Sequence, residues 1–151
     1  MNYYFKNNCC KTVFVTKTVS LEIQDNILVA TLPNTPIEIK NKDMIKFTIC
    51  QDIPTDTTSE NVLSILINGV DIFVLDRFGN FVRGDQLRKG VTYYMVVSTS
   101  PIVGVITSRN LCKTTFEFPT IPVEEIECLK KKKDKTPKIT PKKVEEVVEN
   151  A

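Results

Sequence analysis

The stretch that decides the fold is Val62-Leu63-Ser64-Ile65-Leu66-Ile67-Asn68-Gly69-Val70-Asp71-Ile72-Phe73-Val74-Leu75. Two apolar, β-branched runs flank an Asn-Gly dipeptide. A two-residue hairpin turn of matching twist needs positive φ at both central positions, which Asn and Gly tolerate best. This spacing predicts a tight hairpin with Asn68-Gly69 at its tip.

The same grammar recurs on either side. Between Val13 and Ile23 the odd positions are apolar except Lys17, while Thr, Ser and Glu fill most of the even ones. That two-residue period is one buried and one wet strand face. The run is long for a single strand, so a bend or bulge is expected near Lys17. Ile27 to Leu32 is a short apolar run stopped by Pro33-Asn34-Thr35-Pro36. Ile37 and Ile39 alternate with Glu38 and Lys40, and Ile45, Phe47 and Ile49 alternate with polar neighbours. Gln51 to Asn61 reads as a polar loop, and Asp76-Arg77-Phe78-Gly79-Asn80 as a second turn. Val91 to Val97 and Ile102 to Ile106 complete the pattern. The expectation is an all-β domain over residues 1–118, an antiparallel sandwich or barrel of about eight short strands. No amphipathic helix, internal repeat or glycine-rich loop interrupts it.

Residues 119–151 change character and read as a C-terminal helix followed by a lysine-rich arm. Thr120 is placed to cap the helix, with Pro122 in its first turn. Glu124, Glu125 and Glu127 precede Lys130, Lys131, Lys132 and Lys133, an order that suits the helix dipole. Val144, Val147 and Val148 stand at i, i+3 and i+4, a short apolar stripe that gains order only by docking. Met1 to Lys11, with Tyr3, Tyr4 and Phe5 among asparagines, reads as a second arm.

Composition limits the chemistry. The 151 residues are 42% hydrophobic and 25% charged, as in a folded chain, with no histidine and no tryptophan. Without histidine there is no histidine triad, no histidine metal ligand and no ordinary general base near neutral pH. The formal net charge of +2 is uneven. Residues 1–127 hold 12 Lys+Arg against 14 Asp+Glu, and residues 128–151 hold eight lysines against four acidic residues. A nucleic-acid binder that is basic throughout has a different balance. The five cysteines, Cys9, Cys10, Cys50, Cys112 and Cys128, include no CxxC spacing and read as reduced thiols in a cytoplasmic setting. No apolar run is long enough for a membrane span, and the polar N-terminus lacks a secretory core.

Three constellations invite chemistry. Asp71, Asp76 and Asp85 are carboxylates for a metal or for acid–base work, set against the plainer reading that aspartate beside glycine and asparagine makes turns. Arg77, Arg83, Arg88 and Lys89 interleave with Phe78, Phe81, Tyr93 and Tyr94. On one strand face they would stack and charge-pair with single-stranded nucleic acid, and otherwise they are core aromatics, solvated arginines or a protein interface. The lysine run is a phosphate contact, an arm along an acidic protein, or solvated chain.

The segment from Val74 to Tyr94 carries a resemblance. It reads strand, Phe78-Gly79-Asn80 turn, Arg83, Asp85-Gln86-Leu87, then the Tyr93-Tyr94 strand, and Arg109-Asn110-Leu111-Cys112 follows later. In this it resembles small virion proteins of crAss-like tailed bacteriophages, in style the auxiliary capsid (decoration) proteins. The likeness covers about a third of the chain, within Val62 to Cys112, and brings no catalytic residue, cofactor or metal. It implies a β-rich structural protein in the virion, passing through the host cytoplasm during assembly. It would decorate or reinforce the head by binding the major capsid protein and neighbouring copies of itself, with no membrane and no small-molecule substrate. Arg77, Phe78, Asn80 and Arg83, the lysines Lys130 to Lys133, and Val144, Val147 and Val148 are the candidate partner-binding residues. The alternative is a nucleic-acid-binding β-barrel that uses the Arg/Tyr face and the lysine tail. An enzyme is the reading with the fewest residues behind it.

Overall fold

Two turns show why the strands pair as they do. At Asn68-Gly69 the φ values are 52° and 76°, and at Asp25-Asn26 they are 50° and 66°. Both are the doubly positive turns that join antiparallel strands without splaying them. They close the hairpins β6–β7 (Val62–Ile67, Val70–Leu75) and β3–β4 (Ser20–Gln24, Ile27–Thr31). A third hairpin joins β8 (Thr92–Thr99) to β9 (Ile102–Thr107). The remaining strands are β1 (Tyr3–Lys6), β2 (Thr12–Lys17) and β5 (Met44–Thr48). The structure is a computed structural model that describes residues 2–6, 11–107 and 117–130.

The nine strands of the described residues hydrogen-bond in one order, β1-β2-β5-β8-β9-β7-β6-β4-β3. The all-β class matches the sequence expectation. The finer expectation, an antiparallel sandwich or barrel of about eight strands, needs correcting. The ladder is continuous, its end strands β1 and β3 are not paired to each other, and the pairs β2–β5, β4–β6 and β7–β9 are parallel. The parallel pairs arise because the chain leaves one part of the sheet and returns in the same direction. Between β2 and β5, for example, it builds β3 and β4 at the far end of the order.

The main core draws on most of the sheet, and a smaller cluster of Val13, Met44 and Val96 packs separately. Phe14 of β2, Leu21 of β3, Leu28 of β4, Ile45 and Phe47 of β5, Leu63 and Ile65 of β6, Val74 of β7 and Met95 of β8 form a single cluster. Strands at opposite ends of the order contribute to it, so the sheet bends round its own apolar face. Burying the larger of these side chains contributes about 1.5–3 kcal/mol each.

The expected bend near Lys17 is a full break. β2 ends at Lys17 and β3 starts at Ser20, in a different part of the sheet. Buried Thr18 holds the corner. Its N–H donates to Thr48 O at 3.0 Å, its Oγ1 accepts from Cys50 N–H at 2.9 Å and donates to Gln51 Oε1, and Gln51 Nε2 donates back to Thr18 O at 3.0 Å. Two further readings are corrected. Residues 37–40, despite their alternation, are not a strand. Tyr3 to Lys6, read as part of an arm, is strand β1, paired antiparallel with β2. There the open edge of β2 satisfies the backbone groups that a free arm would leave to water.

The chain divides into two compact units, Met1–Ile121 and Pro122–Ala151. In the second, residues 123–130 are helical. The Ile126 N–H donates to Pro122 O at 3.1 Å, which puts Pro122, not Thr120, at the capping position. Val123, Ile126 and Leu129, at the i, i+3 and i+6 positions of this helix, are exposed, buried and half-buried in turn.

Candidate partner-binding site

The turn after β7 is built by one aspartate. Asp76 Oδ1 accepts from Phe78 N–H at 2.8 Å and from Asn80 N–H at 3.0 Å. The backbone adds Asp76 N–H to Asn80 O at 2.7 Å and Gly79 N–H to Asp76 O at 3.1 Å. Gly79 has φ +89°, and a Cβ there would sit 2.6 Å from Thr120 O. Only glycine fits that position. Four hydrogen bonds and this glycine fix a turn whose tip is Phe78, 75% exposed. The Arg77 guanidinium lies 5.5 Å from the Phe78 ring centroid, within cation–π range.

After the turn the chain doubles back along the sheet. Leu75 and Phe81 bridge, as do Val62 and Arg83. Val82 N–H donates to Val74 O at 2.9 Å, and Leu63 N–H to Val82 O at 2.9 Å. Phe81 is buried and Arg83 lies 6.0 Å from its ring centroid. Arg83 N–H donates to Gln86 Oε1 at 2.6 Å, closing the short 3-10 turn Gly84–Gln86. The turn therefore stands on a rigid base, so an exposed aromatic is presented with little entropy left to lose.

The structure sorts the sequence candidates. Arg77, Phe78 and Asn80 share this turn and are all exposed, while Arg83 is half-buried against Phe81. Tyr93 and Tyr94 are not one face. Tyr93 packs on the main core, 5.7 Å from the Phe47 ring, and its hydroxyl accepts from Arg88 N–H at 3.1 Å. Tyr94 packs with Val13, Met44, Val96 and Phe118 and has Lys46 Nζ 5.5 Å from its ring. Lys89 pairs with Asp52 at 3.0 Å on the surface. The basic-aromatic set is thus divided between two faces of the sheet. Lys130 is helical and is the last described residue, and Lys131, Lys132, Lys133, Val144, Val147 and Val148 lie outside the described residues.

The aspartates do not meet. Asp76 builds the turn, Asp85 is in the 3-10 turn, and Asp71 accepts from Ser64 Oγ at 3.5 Å. Among the described residues no three His, Cys, Asp or Glu side chains are placed to hold a metal ion, and no helix is long and apolar enough to cross a membrane. An apolar cleft of about 240 Å³ lies between the β6–β7 and β8–β9 hairpins, walled by Ile39, Ile67, Val70, Ile72, Val97 and Ile102, with Glu38 its one charged lining residue.

Sequence reasoning missed β1 as a surface feature. Tyr3, Tyr4 and Phe5 are 48%, 43% and 42% exposed on the outermost strand. The signal was the uncharged aromatic run Tyr3-Tyr4-Phe5, which is unusual for an edge strand.

Comparison with known proteins returns nothing to set beside this geometry: no family model, no curated protein and no solved structure matches the chain.

Proposed function

We propose that the chain is a structural virion component, an auxiliary capsid protein that decorates or reinforces a phage head by binding the major capsid protein and its own copies. The observation that carries this reading is Phe78, three-quarters exposed at the tip of a turn pinned through Asp76. A large aromatic held rigidly in water with a stacked arginine beside it has the composition of a binding hot spot. The resemblance over Val62 to Cys112 supplies the setting, a shell where a small rigid domain is repeated many times. Repetition suits such a knob, because modest contacts become strong when many copies are held together.

The nucleic-acid reading has less behind it. Its two tyrosines serve different packing clusters, and Lys89 is engaged with Asp52. Binding to single-stranded DNA and to purified heads, both followed across a salt series, separates the two. Retention on heads that Phe78→Ala weakens supports the capsid reading. Salt-dependent retention on DNA with no affinity for heads supports the other.

A further inference from the structure

We propose that β1 is a self-pairing edge: two copies of this chain join β1 to β1, antiparallel, about a two-fold axis at Tyr4. The inference deepens the shell reading by naming a contact between neighbouring copies. Its structural basis is β1 alone, not the Phe78 turn.

β1 is the last strand of the sheet, and among the described residues none pairs with its outer side. It is fastened on its inner side by the register Tyr3↔Val15, Tyr4↔Phe14, Phe5↔Val13 and by Thr16 Oγ1 donating to Asn2 Oδ1 at 2.7 Å. A fastened strand whose outer backbone groups meet no partner among the described residues is a template for one more strand. Edges are usually guarded by a central charge, a proline or a bulge. β1 is four residues long and carries one charge, Lys6 at its end, but its run from Tyr3 to Phe5 has no charge and no proline. The other edge, β3, has the guard. Its central residue is exposed Glu22, held by Gln24 Nε2 at 2.6 Å. Self-pairing of β3 would set two glutamates face to face, and like charges directly opposite destabilise a pair.

What completes β1 is settled by its own sequence. Antiparallel pairing about Tyr4 sets Tyr3 against Phe5 of the second copy and Phe5 against its Tyr3. Lys6 then falls opposite Asn2 of the second copy, so the two lysines sit at opposite ends. The same register continues two existing cross-strand rows. Tyr3-Val15-Lys46-Tyr94 and Phe5-Val13-Met44-Val96 lie side by side on the face of the sheet away from the main core, where Val13, Met44 and Val96 form a smaller buried cluster. Tyr3 and Phe5 already stack there, with centroids 6.3 Å apart. Pairing would extend both rows into the second copy's aromatics. Aromatic cross-strand pairs are among the most favourable in antiparallel sheets.

The test uses the full-length protein in isolation, by sedimentation velocity over a rising concentration series. The wild type is expected to form a dimer that grows with concentration. Tyr4→Glu and Tyr4→Lys each place like charges across the axis and should weaken dimerisation roughly tenfold or more. An equal mixture of the two should restore it, which a folding defect could not do. A wild-type chain that stays monomeric at every concentration overturns the inference, as does a mixture with no restored dimer. Because particles are absent from this assay, it separates from the shell reading. A dimer never incorporated into heads contradicts only the shell reading, and an incorporated protein that is monomeric in isolation contradicts only this one.

Discussion

Asn68 and Thr35 exchange two hydrogen bonds. The Thr35 N–H donates to Asn68 Oδ1 at 2.8 Å, and Asn68 Nδ2 donates to Thr35 Oγ1 at 2.8 Å. The tip of the β6–β7 hairpin is thereby tied to the loop that leaves β4. Asn68 does two jobs: it accepts a φ of 52° and it fixes the loop.

Separate substitutions divide those jobs. Asn68→Gly keeps the conformation and loses the bonds, at an expected cost of about 1 kcal/mol. Gly69→Val meets no neighbour, since nothing lies within 4 Å of a Cβ there, so its cost is that of forcing a β-branched residue to φ +76°. That should be about 1–2 kcal/mol. Chemical denaturation of both variants checks this, and an unchanged midpoint for Gly69→Val would contradict the turn assignment.

Gly79→Ala should destabilise by more than its left-handed φ alone explains. The added methyl would press on Thr120 O, a backbone atom with no rotamer to yield. A loss of about 2 kcal/mol is expected, together with weaker binding to heads because the Phe78 turn is displaced.

Phe78 and Phe81 stand three residues apart and should behave as opposites. Phe81→Ala removes a buried ring and is expected to cost about 3 kcal/mol. Phe78→Ala removes an exposed ring and should change stability by less than about 0.5 kcal/mol. Thermal melts of the two variants beside a head-binding assay make the comparison. Binding lost by Phe78→Ala with melting unchanged is the expected signature.

The first unit should stand without the second. A chain ending at Ile121 keeps all nine strands together with Pro119 and Thr120, which lie against Gly79. It is expected to melt cooperatively with strand-dominated circular dichroism. A helical spectrum or a broad, non-cooperative melt would contradict the division of the chain.

What was legible in the sequence was local. Asn68-Gly69 announces its hairpin because the turn conformation is decided by two adjacent residues. The alternation of β2 does not translate into one wet face: Thr12, Phe14 and Thr16, the even positions, are buried, Phe14 in the main core, and Val13 on the other face packs in a smaller cluster, while exposed Lys17 closes the strand. The Asp76 turn was readable for the same reason, its aspartate bonding to its own neighbours. Parallel pairs such as Val13↔Met44 were not legible, because nothing in either segment specifies a partner across a long loop. Ile37 and Ile39 imitate a strand, yet their alternation serves a segment whose Ile39 walls a cleft. Tyr3 to Phe5 was mistaken for an arm because its pairing depends on the open edge of β2, which only the folded sheet creates. Arg77, Phe78 and Asn80, candidates from the basic-aromatic run and the Phe78-Gly79-Asn80 turn, share one exposed turn. The division of Tyr93 from Tyr94 follows from strand alternation once β8 is in register.

Whether this chain is part of a virion head, as proposed, is read from quantitative mass spectrometry of purified virions. Under the account given, the chain is present in a fixed ratio to the major capsid protein, and virions carrying Phe78→Ala hold markedly fewer copies of it. Particles of full infectivity and normal composition that contain none of the chain would contradict it.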